Sequence, residues 1–340
     1  MYILRSVSKD DLKDLKRLSE MVSFINLPPD PEIIQSKIES SIQAFKKPSK
    51  QLRENYYIFV LENTANKEVM GVSMIHAQHG TEEEPHFFLR VGQEHKFSQT
   101  INTGFIHGTL KLGLDTDGPT EIGGLVLNPD YRGNKDKLGK QLSFVRFLYI
   151  TMFPERFKTT IHSELMPPLD KDGNSALWEA IGRRFMNMGY HDADVLSRSN
   201  KEFILSLFPS ENIYQTLLPI DARDSIGKVG KDTEPVRRML ESIGFKYTHE
   251  VDPFDGGPHY RCEQADIKPI KNKVIGTISK EGFDAHNCVS MLVALPQPKH
   301  DFFAARVSVT LAKPGVISLN PQEVGSLVIN WGEKTTAIPF

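Results

Sequence analysis

The chain has 340 residues, with Lys and Arg numbering 41 against 43 Asp and Glu, for a formal charge of −2. With 39% hydrophobic and 25% charged residues, it gives no electrostatic reason to bind nucleic acid or an anionic membrane surface, and it has the apolar content of a folded protein. It contains no run of ~18 apolar residues to span a bilayer, and its first residues lack the basic-then-apolar pattern of a secretory leader. Its two cysteines, Cys262 and Cys288, cannot frame a fold of this size, so a reducing, cytoplasmic setting is expected.

The chain opens as strand then helix. Tyr2, Leu4 and Val7 make a short apolar run; Leu12, Leu15, Leu18 and Val22 then recur at helical spacing behind Ser8, which suits an N-cap. The Pro-rich break at 27–31 precedes a second helix carrying Ile33, Ile34, Ile38 and Ile42. Tyr56–Leu61 and 69–77 read as a hairpin turning around Asn63–Lys67. Residues 80–118 are polar, dotted with glycine and match neither period, and the acidic run Glu82–Glu84 reads as a solvated loop.

From 120 to 150 the pattern sharpens. Ile122, Leu125, Val126 and Leu127 predict a strand ending at Asn128-Pro129-Asp130, followed by the loop YRGNKDKLG. A helix then bears Leu138, Leu142, Val145, Phe147, Leu148 and Ile150. Further on, 159–164 reads as a strand, 174–187 and 234–243 as helices, the second closed by Gly244, and 245–251 as a strand. Beyond Pro269 helical periodicity disappears. Short strands are predicted at 274–278, 289–295, 304–311, 316–319 and 326–329, making 270–340 a small all-β unit after a domain at 1–269.

The loop after the 120–127 strand has a physical reason to hold a pyrophosphate. Backbone N–H groups at a helix N-terminus are unpaired and the helix dipole favours negative charge there. Gly133 and Gly139 let phosphate oxygens approach the backbone, and Arg132, Lys135, Lys137 and Lys140 add positive charge. A solvated basic loop capping a helix has the same local features.

A strand ending in NPDYRG, a glycine-containing loop and an amphipathic helix together resemble the acetyl-CoA-binding motif of the GNAT acyltransferase superfamily. The fuller resemblance is to the arginine N-succinyltransferase family of the bacterial arginine succinyltransferase pathway. It is carried by FVLEN at 59–63, LRVGQEHKFS at 89–98, LVLNPDYR at 125–132 and SALWEAIGRRFMNMGYHDADVL at 175–196. DARDSIGKV at 221–229 and PVRRMLESIGFKYTHEVDPFDGGPHYRC at 235–262 extend it. The resemblance implies an α+β, GNAT-like fold with a helical insertion and a small C-terminal all-β subdomain. It implies succinyl-CoA as co-substrate, with no permanently bound cofactor, and the α-amino group of L-arginine as acceptor. The amine would attack the thioester directly in a ternary complex. It also implies that Leu125 contacts succinyl-CoA, and it brings the expectation of a homodimer or an assembly with a paralogous subunit.

One position departs from the family. Its proton-donor histidine matches Gly230 in IGKVGKDTEP, and glycine cannot transfer a proton. Three readings follow: a slow succinyltransferase, an enzyme using another base, or a relative with a different acceptor or no activity. The candidate substitutes are His95, in a family-like stretch, and His249 and His259, which flank the FDGGP turn. Recognition of a guanidinium calls for carboxylates, for which Glu121, Asp252 and Asp255 are candidates; Asp255-Gly256-Gly257 equally reads as a tight turn. Cys262 reads as a small core residue rather than a nucleophile. His76, His79 and His86 have spacing that matches no structural zinc pattern, and no metal is expected.

Overall fold

The apolar N-terminal run forms β1 (Tyr2–Ser6), and Ser8 closes a capping box with Asp11 that starts a 3-10 turn leading into α1 (Leu12–Glu20). The computed structural model describes residues 1–21, 27–197 and 200–340; Val22, expected on the first helix, lies outside them. The described chain packs into two compact units. The first holds Met1–Gln78, Thr120–Thr159 and Glu263–Phe340, and the second His79–Pro119 and Thr160–Cys262.

In the first unit α2 (Pro31–Lys46) begins with Asp30 accepting from the N–H groups of Glu32 and Ile33, and with proline in the first turn. Strands β2 (Tyr56–Asn63) and β3 (Val69–His76) form the expected hairpin, and β6 (Thr120–Leu127) pairs with β3. Leu15, Leu18, Ile34 and Ile38 of the two helices pack with Ile58, Val60, Val72 and Val126 of the strands. Helix α3 (Leu138–Met152) is buried nearly all round, the pattern of a helix enclosed on every side. It packs against β2, β3 and β6, and also against C-terminal strands.

Those C-terminal strands are β11 (Val274–Ser279), β12 (Val289–Ala294), β13 (Phe303–Thr310), β14 (Val316–Leu319) and β15 (Lys334–Pro339). They close on themselves in the order β12–β15–β11–β14–β13, with β13 returning to β12. Their interior is filled by Ile278, Val293, Val307, Ile317, Leu319 and Ala337. These five strands make 270–340 rich in β-structure. β13 also pairs with β1 through Leu4–Ala304 and Arg5–Phe303, which places these strands in the same compact unit as the N-terminus. The strand expected at 326–329 is absent: a short helix, Pro321–Val324, capped by the Asn320 side chain, leads into turn and loop there. β15 closes the ring instead.

The second unit contains what 80–118 concealed. Here β4 (His86–Ser98) and β5 (Thr103–Asp115) form one long hairpin. Its sheet runs β7 (Thr160–Glu164), β10 (Pro258–Glu263), β9 (Lys246–Val251), β4, β5, β8 (Ile213–Tyr214). Phe87, Leu89 and Leu110 of the hairpin meet Leu177, Trp178, Ile181, Tyr190 and Ile204 of the helical insertion. The helix expected over 174–187 is broken into α4 (Ala176–Ala180) and α5 (Gly182–Met186). The break falls at Ile181 (φ −121°, ψ −75°), next to Gly182, where a Cβ would stand 2.3 Å from the Trp178 ring. Short helices α6 (Tyr190–Ser197), α7 (Glu202–Leu207) and α8 (Ile220–Ser225) follow. Helix α9 (Glu234–Ile243) ends as expected at Gly244, φ +120°. Among the described residues no helix is long and apolar enough to cross a membrane.

Candidate functional site

In the first unit the strand–loop–helix segment forms as the sequence pattern predicts. β6 is not regular: Val72 pairs with Val126 and Met74 with Gly123, so Gly124 and Leu125 together face the single residue Ser73. This is a β-bulge, which leaves one residue of the longer strand without a ladder partner. Gly124 makes it geometrically available, since its φ is +55° and a Cβ there would stand 2.8 Å from the Met74 side chain. Leu125 lies in the bulge, half-buried. A bulged strand with backbone groups released from pairing can hydrogen-bond the amides of an extended ligand.

The loop that follows is shaped by its own side chains. Asn128 accepts from the Asp130 N–H and Asn134 from that of Asp136. Gly133 takes φ +71° and Lys137 φ +54°, the left-handed region, immediately before α3. The first-turn N–H groups of α3 have no intrahelical acceptors, and no acidic residue occupies that turn. A Cβ at Gly139 would meet only Leu127 Cδ2 at 3.8 Å, so protein packing does not demand glycine there. Arg132 and Lys135 are exposed. Lys140 instead lies over the Phe144 and Phe340 rings at 4.7 and 4.6 Å, and burial lowers its pKa. Arg306 donates to the Asp136 carbonyl at 3.2 Å. A cavity of about 500 Å³ is lined by Asp136 and Gln141 together with Ser290, Arg306 and Glu323 of the C-terminal strands and helix. Glu121 is buried on β6, opposite His76 of β3.

In the second unit Gly230 is buried, with its N–H donating to the Met166 carbonyl at 2.8 Å. A Cβ at this position would stand 2.8 Å from the Pro167 carbonyl oxygen and 3.3 Å from that of Met166. The space a side chain needs is therefore filled by backbone. Asp252 and Asp255 build the turn that follows β9: Asp252 Oδ1 accepts from the N–H groups of Phe254 and Asp255, and Asp255 Oδ1 from that of Gly257. Burial pushes the Asp252 carboxyl up to about 7 and that of Asp255 well above its usual range, with neighbouring carboxylates adding to both.

The three histidines weighed as substitutes part company. His95, on the long hairpin, is exposed, and so is His249, which sits at φ +57°. His259 is fully buried and burial pushes its imidazole down to about 3, so it is neutral. Around it the strands assemble a set the sequence did not disclose: His86 from β4, His162 and Glu164 from β7, and His259 from β10. His86 thus belongs with residues about 76 and 173 positions away in the chain rather than with its sequence neighbours. The one local signal is the His-x-Glu spacing at 162–164, which puts both side chains on one face of a strand. Cys262 is buried.

The profile of the family described as arginine N-succinyltransferase beta subunit matches residues 2–269. An arginine N-succinyltransferase of Yersinia pseudotuberculosis is 34% identical over 287 residues, covering 84% of this chain and 81% of that protein. One from an Enterobacter species is 31% identical over 350 residues, covering 99% and 100%. Among solved structures, the arginine/ornithine succinyltransferase subunit AI from Pseudomonas aeruginosa superposes with a TM-score of 0.83 at 25% identity, covering 100% of this chain and 98% of that one. With its GNAT-like α+β fold and its bulged strand, basic loop and helix, the chain is an acyltransferase that uses a CoA-linked co-substrate, and it belongs to the arginine N-succinyltransferase family.

Proposed function

We propose that the chain transfers a succinyl group from succinyl-CoA to the α-amino group of L-arginine, in the cytoplasm, by direct attack of the amine on the thioester. The observation that carries the donor half is the bulge at Gly124–Leu125 running into a loop with two left-handed residues and a helix whose first turn holds no acidic residue. Leu125 would offer backbone groups to the pantetheine, and Gly133, Gly139 and Arg132 would take the pyrophosphate. Residues 1–269 would carry the chemistry, with 270–340 as its β-rich subdomain. For the acceptor, Glu121, Asp252 and Asp255 are the carboxylates to test, although the last two already bond their own turn. Assembly into a homodimer or with a paralogous subunit fits the tip of the β4–β5 hairpin, which exposes Phe97, Ile101, Phe105 and Ile106.

A second reading has its own observation. Position 230 is not merely without a histidine but closed by the Met166–Pro167 backbone, which favours a slow enzyme or a weak paralogous subunit. A positioned base is worth ~10²–10⁴-fold, and proximity in the ternary complex persists without one. Free-thiol release from succinyl-CoA with and without L-arginine separates the readings. Arginine-dependent turnover supports the first, while succinyl-CoA binding without release supports the second. Thermal protection by succinyl-CoA that is lost in Arg132→Glu supports the loop assignment, and protection unchanged in that variant removes it.

A further inference from the structure

Three imidazoles converge on one carboxylate oxygen inside the second unit. Glu164 Oε1 lies 3.2 Å from His162 Nε2, 3.6 Å from His86 Nδ1 and 3.7 Å from His259 Nε2. The rings stand 4.8–5.2 Å apart between centroids. All three histidines are at most 2% exposed, yet His259 Nε2, the nitrogen nearest Glu164, lacks a hydrogen-bond partner among the described residues, as do the other ring nitrogen of His259 and His86 Nε2, the ring nitrogen of His86 that is not the one nearest Glu164. Buried polar atoms are nearly always paired, so such a set calls for an explanation. Only the His162 contact is short enough for a hydrogen bond; the other two separations are too long for one.

His162 is set apart by its outer neighbour. Arg261 Nε donates to His162 Nδ1 at 3.2 Å. That nitrogen is therefore the acceptor, the proton sits on Nε2, and Nε2–H donates to Glu164. A nitrogen carrying a proton cannot ligate a metal. The Arg261 charge is itself met by Glu250, 3.3 Å away. This leaves two neutral imidazoles with lone pairs and one carboxylate, whose donor atoms all lie within 4.8 Å of one another. Ligands about 2.0–2.1 Å from a zinc-class ion in tetrahedral or trigonal arrangement stand roughly 3.3–3.6 Å apart, close to the 3.6 and 3.7 Å found between Glu164 and its two partners.

We propose that His86, His259 and Glu164 form a binding site for one divalent transition-metal ion of the zinc class, with His162 as the outer partner that orients Glu164. Nitrogen and oxygen donors suit Zn²⁺ or Co²⁺ rather than Ca²⁺ or Mg²⁺, which take all-oxygen shells. Three protein ligands leave a fourth position open. Glu164, about 31% exposed at its side chain, faces the solvent side of the set. The ligands come from β4, β7 and β10, so the ion would tie together segments far apart in sequence.

The test uses the full chain stripped with a chelator and titrated with Zn²⁺ and, separately, Co²⁺. The expected result is one equivalent of each metal, a visible Co²⁺ spectrum of four-coordinate type, and a Tm that rises with metal by mass action. Glu164→Gln and His259→Gln, checked for folding by circular dichroism, should lose stoichiometric binding. His162→Gln should weaken it about 10–100-fold, as loss of an outer partner does. The exposed-site variants His95→Gln and His249→Gln should bind like the unaltered chain. The proposal is overturned if the folded, stripped chain binds no equivalent, or if binding survives in both His259→Gln and Glu164→Gln. Should those variants fail to fold, bound Co²⁺ without four-coordinate bands in the unaltered chain overturns it as well.

Discussion

Both units bury ionisable side chains, but they satisfy them differently. In the first, Arg5 donates to both oxygens of Asp11 at 2.7 Å and to Glu62 at 2.7 Å, all three residues at most 6% exposed. Asp11 also accepts from the Ser8 N–H and hydroxyl, and Lys67 reaches Glu62 from the surface. In the second, three imidazole rings surround Glu164 with several nitrogens unmatched. A buried set that answers its own charges is structure. One that leaves buried ring nitrogens beside a carboxylate without partners is open to something that arrives, and the two can be told apart by removing single members.

The largest effect is expected in the first unit. Arg5→Leu leaves two carboxylates buried without their cation, and removing one partner of a buried pair typically costs about 3–5 kcal/mol. Urea unfolding at neutral pH should show a midpoint falling accordingly with little change in slope. A loss under about 1 kcal/mol would mean that water already enters the triad, and the contrast with the second unit would collapse.

Acid sharpens the same comparison. Burial alone would raise the Asp11 carboxyl, but the Arg5 hydrogen bonds and charge outweigh it and hold it below its ordinary 3.8. A depressed carboxyl contributes stability that is present above the unfolded pKa and lost as pH falls through the folded one. Asp11→Asn should therefore cost about 1.5–3 kcal/mol at pH 7, the worth of a charged hydrogen bond. The gap to the unaltered chain should close as pH drops below about 4. A gap that persists unchanged at acid pH would locate the contribution in packing rather than charge.

The sequence carried the first unit further than the second, for reasons visible in particular residues. Alternation and helical spacing sufficed for β2–β3 and α3, because each buries a pattern written over consecutive residues. The β6–loop–α3 segment was legible for the same reason. Its bulge was not, since it is defined by pairing with β3 and not by Gly124 alone. The long hairpin escaped notice because much of β4 and β5 is exposed or half-buried and lacks clean alternation. The His–Glu set escaped because only the strand order β7–β10–β9–β4 brings its members together. The reading of Asp255-Gly256-Gly257 as a turn rested on Asp-Gly chemistry, and Asp255 does accept from the Gly257 N–H; that Asp252 accepts from the same turn was outside that reading.

The second unit can be challenged by adding a histidine rather than removing one. Gly230→His places a Cβ 2.8 Å from the Pro167 carbonyl, and overpacking of this kind costs about 1–3 kcal/mol. Chemical denaturation should show that loss, and arginine-dependent thiol release should not increase. A gain in turnover with unchanged stability would show that the Met166–Pro167 backbone yields freely and that the missing side chain alone limits the reaction.

The smallest effect separates a buried charge from its exposed cap. Arg5 brings one positive charge to two carboxylates, so the triad holds a net negative charge that Lys67 meets at 3.3 Å from Glu62. The lysine side chain is 74% exposed, and an ion pair with one partner in solvent is worth about 0.2–1 kcal/mol and weakens with salt. Lys67→Ala should therefore move the urea midpoint only slightly at low ionic strength and not measurably at ~1 M salt, where the screening length is about 3 Å. If it costs as much as Arg5→Leu, the buried charge balance depends on the surface lysine and the triad is not self-contained. If it costs nothing even at low salt, the hydrogen bonds from Arg5 and the backbone already hold both carboxylates, which is the condition the second unit fails to meet with its own residues.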